Sequence, residues 1–416
     1  MAIRDYRGEA VTGATGSALD AFEQALAGFQ SWRGDPARTI ATAIEQAPGF
    51  VMAHVLHAYL LVCTREPASV RAAMPVYERT LRLPATPRER LHLAAIAATL
   101  RDDYEGAQSI LGELLAAYPR DVLALQVAHA FDYLGGDLAG LRGRVSRVLY
   151  AWSPRLPGYQ SVLAMHAFAL AECGEPERAE AVALEALALD SLNARAHHAL
   201  AHVFEMTGRT ADGLRWMGDH IDAWGGSTFV ARHCWWHLAL FHLQRGDIAA
   251  ALSLYDQRIR TDTTPSLADL IDASALLWRL HLNNCDVGKR WSDLAADWAP
   301  RLADGFCTFS DLHAMMAFVG ARDWRLAARL LSELGERQLM PSRHGGTTRL
   351  VGLPAGRALV AFGRGDFLAT IDLLSHLSPV AHRLGGSHAQ RDVIQLTLRA
   401  AVGCARASVA FQRLAA

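Results

Sequence analysis

Apolar positions along the chain recur at helical spacing, and short polar turns interrupt them at regular intervals. In residues 196–206, Ala199, Val203 and Met206 lie three or four residues apart, which places them on one helix face. After Gly174 a similar stretch begins with Pro176, a residue suited to the first turn of a helix. No stretch alternates apolar and polar residues for long enough to indicate a sheet. The pattern predicts an all-α chain of consecutive amphipathic helices.

The turns between these helices share a composition. A residue that tolerates the left-handed backbone conformation ends one helix, and in most turns an acidic residue begins the next. Eight such turns open at Gly34, Asp102, Gly136, Gly174, Gly208, Gly246, Arg322 and Gly365. Successive gaps are 68, 34, 38, 34, 38, 76 and 43 residues, close to one or two tetratricopeptide periods of about 34 residues. We predict a tetratricopeptide-like helix-turn-helix solenoid of about eight helix pairs, curled into a superhelix and forming one domain over residues 1–416.

Composition and charge narrow the class of protein. Hydrophobic residues make up 51% of the chain and charged residues 20%, which is enough for a continuous core. The formal net charge is −1, without the basic surface that nucleic-acid binding requires. The first residues are charged, unlike a secretory signal. No segment approaches the length of about 20 apolar residues that a membrane span requires. The six cysteines form no C-x-x-C pair. We therefore predict a soluble cytoplasmic protein that binds neither nucleic acid nor membranes, with its oligomeric state left open.

Histidine is concentrated in one region, since seven of the 18 histidines lie between residues 197 and 242. Residues four apart in a helix share a face. Two neighbouring helices therefore each present a polar face, with His198, His202 and Glu205 on one and His233, Trp236 and His237 on the other. Counting back from the turn glycines assigns His198, His202, Glu205, His233 and Trp236 to repeat positions on the concave surface of tetratricopeptide arrays. We expect them to line a shared cavity.

Several chemistries are compatible with such a cluster. Two imidazoles and a carboxylate could bind a transition metal, or act as a general base with its orienting acid. They could also hydrogen-bond a polar ligand beside tryptophan walls, or be satisfied core groups. The chain has no H-E-x-x-H motif, phosphate-binding loop, nucleophile elbow or dinucleotide fingerprint. We assign no cofactor and no metal from the sequence.

Five strings go beyond the generic repeat and resemble the tetratricopeptide repeat protein 38 family. They are HALAHVFEM at 198–206, HCWWHLAL at 233–240, DASALLWRL at 272–280, DLH at 311–313 and GGSHAQRDV at 385–393. The resemblance extends from about residue 5 to about residue 400. It implies the solenoid and a single domain but no settled activity. It also adds six candidate cleft residues, Asp272, Asp311, His313, Gln390, Arg391 and Asp392.

These observations predict a protein that binds a small polar molecule or a short peptide in its concave cavity. An alternative is a cofactor-independent acid–base enzyme, namely a hydrolase, isomerase or cyclase, and a third is a protein–protein interaction scaffold. The segment 380–400 is predicted to close over the cavity. The candidate catalytic residues are His202, Glu205, His237, His313 and Asp311. The candidate ligand contacts are His198, His233, Trp236, Asp272, Gln390, Arg391 and Asp392.

Overall fold

A computed structural model describes residues 3–64, 66–226, 228–261, 265–304 and 307–415. The chain divides into two compact units, Met1–Cys234 and Trp235–Ala416. The boundary between them falls inside helix α14. The prediction of a single domain stays a prediction. The helices up to this boundary are α1 Gly16–Ser31, α2 Pro36–Gln46, α3 Val51–Val62, α4 Pro67–Thr80, α5 Pro87–Leu100, α6 Tyr104–Ala117, α7 Val122–Gly135, α8 Leu138–Val148, α9 Tyr159–Glu172, α10 Pro176–Leu189, α11 Ala194–Met206, α12 Thr210–Asp219, α13 Ile221–Trp224 and α14 Ala231–Gln244.

The second unit continues the same arrangement. Its helices are α15 Ile248–Leu254, α16 Leu267–Leu282, α17 Arg290–Trp298, α18 Thr308–Gly320, α19 Trp324–Arg337, α20 Arg343–Thr347, α21 Leu353–Gly363, α22 Phe367–Leu374, α23 His388–Arg391 and α24 Val393–Ala415. Short 3-10 segments cover Leu149–Ala151, Ala299–Asp304 and Ser378–Leu384, and π-helical turns cover Tyr255–Ile259 and Thr348–Gly352.

Consecutive helices pack as pairs within each unit. In the first unit α1 packs on α2, α5 on α6 and α9 on α10, and in the second unit α16 packs on α17, α18 on α19 and α21 on α22. The described residues contain isolated β-bridges and no extended strand. The predicted all-α, tetratricopeptide-like solenoid of helix pairs is confirmed.

The turn chemistry explains why the helices end where the sequence predicts. All eight residues that open the predicted turns have positive φ, between 56° and 80°. In seven of the eight turns the next backbone N–H donates to the carbonyl five residues earlier, as from Glu175 to Leu170 at 2.9 Å, which closes the helix end. Before Gly34 the left-handed cap is Trp32, and the N–H of Arg33 donates to the Gly28 carbonyl at 3.0 Å. Six of the eight turns then use an aspartate cap whose carboxylate accepts from the first helical turn, as Asp137 does from the Gly140 N–H.

The sequence analysis missed a ninth turn of the same kind because it has neither a glycine nor an acidic residue directly after the left-handed position. Asn284 has φ of 55°, and the N–H of Cys285 donates to the Leu280 carbonyl at 2.9 Å. It lies 38 residues after Gly246 and 38 before Arg322, so it divides the 76-residue gap into two ordinary repeats. The 68-residue gap contains the pair α3 and α4, whose connection includes residue 65, outside the described residues.

Small residues allow the paired helices to approach closely. Ala171 of α9 and Ala179 of α10 are fully buried together with Leu170 and with Val203 of α11. Burying a leucine such as Leu170 contributes about 1.5–3 kcal/mol. None of the helices in the described residues combines the length and the apolar character that a membrane span requires.

Candidate functional site

Three imidazoles converge inside the first unit. His198 and His202 lie one turn apart on α11, and His233 lies at the start of α14. The Nε2 atoms of His198 and His202 are 3.0 Å apart, and one ring nitrogen from each of the three residues lies within 4.8 Å of the others. His198 and His202 are buried, whereas His233 is half-buried. The structure therefore brings these three predicted residues together.

A buried carboxylate lies beside one imidazole. Oε1 of Glu172, the last residue of α9, lies 3.3 Å from Nδ1 of His202. If His202 carries its proton on Nδ1, its Nε2 accepts the hydrogen bond that Nε2–H of His198 donates. The sequence analysis did not single out Glu172. The predicted Glu205 lies half-buried near the end of the same helix as His202, and its role stays a prediction.

Aromatic rings enclose the imidazoles. The ring of Phe168 from α9 stacks on His198 with centroids 5.6 Å apart and meets His202 edge-on at 5.1 Å. Trp32 contacts His198 edge-on at 5.6 Å. Trp32 reaches this position because it ends α1 with a φ of 60°, and its carbonyl accepts from the Phe229 N–H at 2.9 Å. The end of the first helix thus packs against the last elements of the same unit.

Burial favours the uncharged form of His198. Desolvation lowers the pKa of His198 well below its usual value, and the positive charges that His202, His233 and Arg195 can carry lower it further. Both effects disfavour a proton on His198.

Arg195 introduces a buried positive charge beside these imidazoles. Its guanidinium carbon lies 4.0 Å from the centre of the Trp32 ring, and its Nε donates to the Gln30 carbonyl at 3.1 Å. The residue is 3% exposed, and burial alone lowers its pKa to about 9. Among the described residues no carboxylate contacts Arg195, and its Nη2 has no hydrogen-bond partner. The amide Nε2 of Gln30 is likewise buried without a partner there.

The other predicted residues lie in the second unit. Trp236 and His237 are fully buried on α14, with ring centroids 5.0 Å apart, and the Arg279 guanidinium lies 5.4 Å from the Trp236 ring. Arg279 forms an ion pair with Asp392. Burial raises the pKa of Asp392 although the positive charge of Arg279 opposes that shift.

The predicted C-terminal segment packs within the second unit. Gln390 of α23 donates from Nε2 to Oδ1 of Asp272 on α16 at 3.0 Å, and Arg391 donates to the Gly386 carbonyl. Residues 380–400 comprise the end of a 3-10 segment, α23 and the start of α24. Closure of this segment over a cavity lined by His198 stays a prediction.

Two further candidates lie on α18. Asp311 forms a buried ion pair with Arg337 of α19. His313 donates from Nδ1 to the Phe309 carbonyl at 2.7 Å, and its Nε2 has no partner among the described residues. Desolvation lowers the pKa of His313 to about 4. The imidazole lines a cavity of about 20 Å³ together with Gln390 and Arg391, enough space for about one water molecule.

Sequence reasoning missed Arg195, Glu172, Phe168 and Trp32. The repeat register could have found two of them. Arg195 precedes its turn glycine, Gly208, by the same 13 residues that separate His233 from Gly246, and Phe168 precedes Gly174 by the same six residues as His202 precedes Gly208. An arginine and a phenylalanine do not belong to the histidine and carboxylate pattern that indicated the cluster. Trp32 reaches the cluster through tertiary packing, which has no local sequence signal.

No protein-family model matches the chain. Solved structures similar to it include yeast Tom70, with 12% identity, 93% of this chain and 88% of that chain covered, and a TM-score of 0.45. Another is Naa15/Naa10 bound to HypK-THB, with 13% identity, coverage of 93% and 62%, and a TM-score of 0.28. A third is the tetratricopeptide domain of P58(IPK), with 14% identity, coverage of 94% and 98%, and a TM-score of 0.21. At such low identity and TM-score these likenesses carry no argument about function.

Proposed function

We propose that the first unit binds a small polar molecule bearing an acidic group, at the cluster formed by Arg195, His198, His202 and His233. The observation that carries this proposal is the missing counter-charge on Arg195. Seven arginines are buried among the described residues, and five of them contact a carboxylate, namely Arg7, Arg88, Arg144, Arg279 and Arg337. Arg195 contacts none of the described carboxylates.

An anionic ligand would supply that counter-charge. A buried ion without a partner costs several kcal/mol, and a guanidinium recognises carboxylate or phosphate oxygens through two parallel N–H donors. The Trp32 ring, 4.0 Å from the guanidinium carbon, holds the guanidinium plane in place. The amide of Gln30 adds a buried donor beside it.

The imidazoles and aromatic rings would bind the rest of the ligand. Neutral imidazoles offer donors and acceptors to hydroxyl, amine or carbonyl groups. Phe168 and Trp32 add apolar walls, as in most small-molecule sites. A short peptide with a free C-terminal carboxylate carries the same anionic chemistry and is the alternative ligand.

The experiment is a binding screen with matched arginine variants. Inorganic phosphate, mono- and dicarboxylic acids and short peptides are titrated into the protein by isothermal calorimetry. At 100 times its dissociation constant, a ligand that binds only the folded state stabilises it by about 2.7 kcal/mol. We expect at least one acid to bind wild type and Arg178→Met, an exposed arginine of α10, but not Arg195→Met. Equal binding by Arg195→Met, or no binding across the panel, contradicts the proposal.

One observation favours acid–base catalysis as a second candidate function. The 3.3 Å contact between Glu172 and His202 has the arrangement of a general base oriented by a carboxylate. If the bound acid is transformed, Glu172→Gln should leave its binding intact and slow its conversion by about 10²–10⁴-fold. Nuclear magnetic resonance spectra of the ligand during incubation follow that conversion, and unchanged turnover excludes this role.

Three broader assignments remain proposals. Membership of the tetratricopeptide repeat protein 38 family is supported by the five strings described above. A cytoplasmic location is supported by the dispersed cysteines. A scaffold that binds other proteins would use exposed surfaces of the helix pairs, and its binding would be insensitive to Arg195→Met.

A further inference from the structure

We propose that His198, His202 and His233 form a binding site for a transition-metal ion of the zinc class within the first unit. This proposal does not depend on an acidic ligand. It concerns the ring nitrogens of the three imidazoles contributed by α11 and α14 and does not use the guanidinium of Arg195.

The spacing of these nitrogens is close to that of a metal tripod. Imidazole nitrogens bind zinc at about 2.0–2.1 Å, so two ligands in tetrahedral geometry lie roughly 3.3 Å apart. The Nε2 atoms of His198 and His202 are 3.0 Å apart. The ring centroid of His233 lies 5.0 Å from that of His198 and 6.4 Å from that of His202, and all three donor nitrogens fall within 4.8 Å. A small rotation of the half-buried His233 ring would complete the tripod.

Glu172 has the position of an outer carboxylate in such a site. Metal-bound imidazoles commonly donate their second N–H to a carboxylate, which fixes the tautomer and strengthens the ligand. Glu172 contacts Nδ1 of His202, while Nε2 of the same ring lies 3.0 Å from Nε2 of His198. Glu172 is a positioning residue in this proposal, because it acts through His202.

The donor set selects a class of ion. Three imidazole nitrogens suit zinc, cobalt, nickel or copper, whereas magnesium and calcium require oxygen ligands. Cys234 follows His233 directly, but adjacent helical side chains point about 100° apart, so its thiol is not part of the set.

Arg195 determines how metal and anion binding would depend on each other. Arg195 and His198 contact the same Trp32 ring, so the positive charge of Arg195 repels a cation bound at His198 and weakens metal binding when no anion is present. An acid that contacts both the ion and the guanidinium removes that repulsion. Each ligand would then strengthen the binding of the other by the same factor.

The test uses the tag-free full-length chain, stripped with a chelator and dialysed into buffer without carboxylate or phosphate. Cobalt and zinc chloride are titrated, with binding followed by calorimetry and by the cobalt absorption spectrum. We expect one equivalent per chain, at least 100-fold weaker binding in His198→Ala and His202→Ala, and 10–100-fold weaker binding in Glu172→Gln. His166→Ala, which changes another buried histidine of the same unit, should bind as wild type.

Circular dichroism establishes whether each variant is folded. Where an alanine variant does not fold, Glu172→Gln and the cobalt spectrum decide, because a spectrum without tetrahedral nitrogen ligation overturns the proposal. So does the absence of a bound equivalent, or unchanged affinity in folded His198→Ala. Arg195→Met separates the two proposals: it should bind metal at least as tightly as wild type in this buffer while failing to bind the acid.

Discussion

Each unit buries a cluster of arginine, histidine and carboxylate side chains, but the two clusters differ in how their charges are balanced. In the second unit Arg279 faces Asp392, and Arg337 faces Asp311. In the first unit Arg195 is as deeply buried as these arginines, yet among the described residues its contacts are a backbone carbonyl and the face of a tryptophan. A protein interior tolerates a buried ion when a partner of opposite charge lies beside it.

The comparison shows why residue type alone did not separate a binding site from a structural network. Asp311 and Asp392 were candidates for the site because of their chemistry and the family resemblance. In the structure each faces an arginine, so these ion pairs contribute to the packing of helices in the second unit. Arg195 was not a candidate, yet it has the charge that most requires a ligand.

The largest expected effect comes from the same substitution made in both clusters. Arg337→Met leaves Asp311 buried opposite an apolar side chain, and we expect a loss of about 3–5 kcal/mol of stability. Arg195→Met removes a charge that faces no described carboxylate. The variant loses the contacts with Trp32 and the Gln30 carbonyl, but it also avoids the cost of burying a charge. We therefore expect a stability within about 1 kcal/mol of wild type. Urea unfolding gives both values, and hydrogen exchange in α11 and α18 assigns each change to its unit.

A large loss in Arg195→Met would remove the contrast between the clusters. Arg195 would then be a structural cation held by Trp32 and Gln30, and the proposed anion site would lose its main support. A negligible loss in Arg337→Met would instead show that the pair with Asp311 is dispensable, which would restore Asp311 as a candidate for a functional role.

Acid should destabilise the second unit through His313. Burial lowers the pKa of His313 to about 4, below the unfolded value of about 6.5. As pH falls, the unfolded state therefore binds the proton first. The contribution of His313 to the free energy of unfolding is fully present above pH 6.5 and is lost between pH 6.5 and pH 4, by up to about 1.4 kcal/mol per pH unit. His313→Asn retains a donor for the Phe309 carbonyl but does not titrate.

The measurement is the free energy of unfolding of wild type and His313→Asn at several pH values from 7.5 to 4.5. The loss should be smaller in the variant by about 2 kcal/mol over this range. His376→Asn, which changes an exposed imidazole of the same unit, is the control. If His313→Asn and wild type lose stability in parallel as pH falls, the folded protein accepts a proton on His313 at mild pH. Burial of His313 would then not reduce the stability of the protein in acid.

The fold could be predicted from the sequence because its rules are local. A left-handed residue followed by a helix cap recurs every 34–38 residues over much of the chain, and each turn depends on a few neighbouring residues. Asn284 was missed for a local reason as well, since it adopts a positive φ without being glycine and without an acidic residue directly after it. The two equal gaps of 38 residues on either side would have identified it.

The site could be predicted only in part because its assembly is not local. The pair His198 and His202 follows from helical spacing, and His233 follows from the repeat register. By contrast, the hydrogen bond from Arg195 to the Gln30 carbonyl spans 165 positions, and Trp32 joins the cluster only because the end of α1 packs beside α11. No periodic pattern in the chain encodes that contact.

The smallest expected effect concerns the turns, whose composition also differs between the units. In the first unit four of the five predicted turns open with glycine, whereas the second also uses Asn284 and Arg322. Arg322 adopts φ of 56°, which costs a residue with a Cβ about 1–2 kcal/mol. Arg322→Gly relieves this strain but adds freedom to the unfolded chain, worth about 0.5–1 kcal/mol. We expect a net gain of about 0.5–1 kcal/mol in the free energy of unfolding, measured with urea.

Asn284→Gly is the control and should gain less stability, because asparagine tolerates this conformation better than arginine. Equal gains at the two positions would mean that the side chain of Arg322 adds no strain of its own, and a loss at Arg322 would mean that its guanidinium stabilises the second unit.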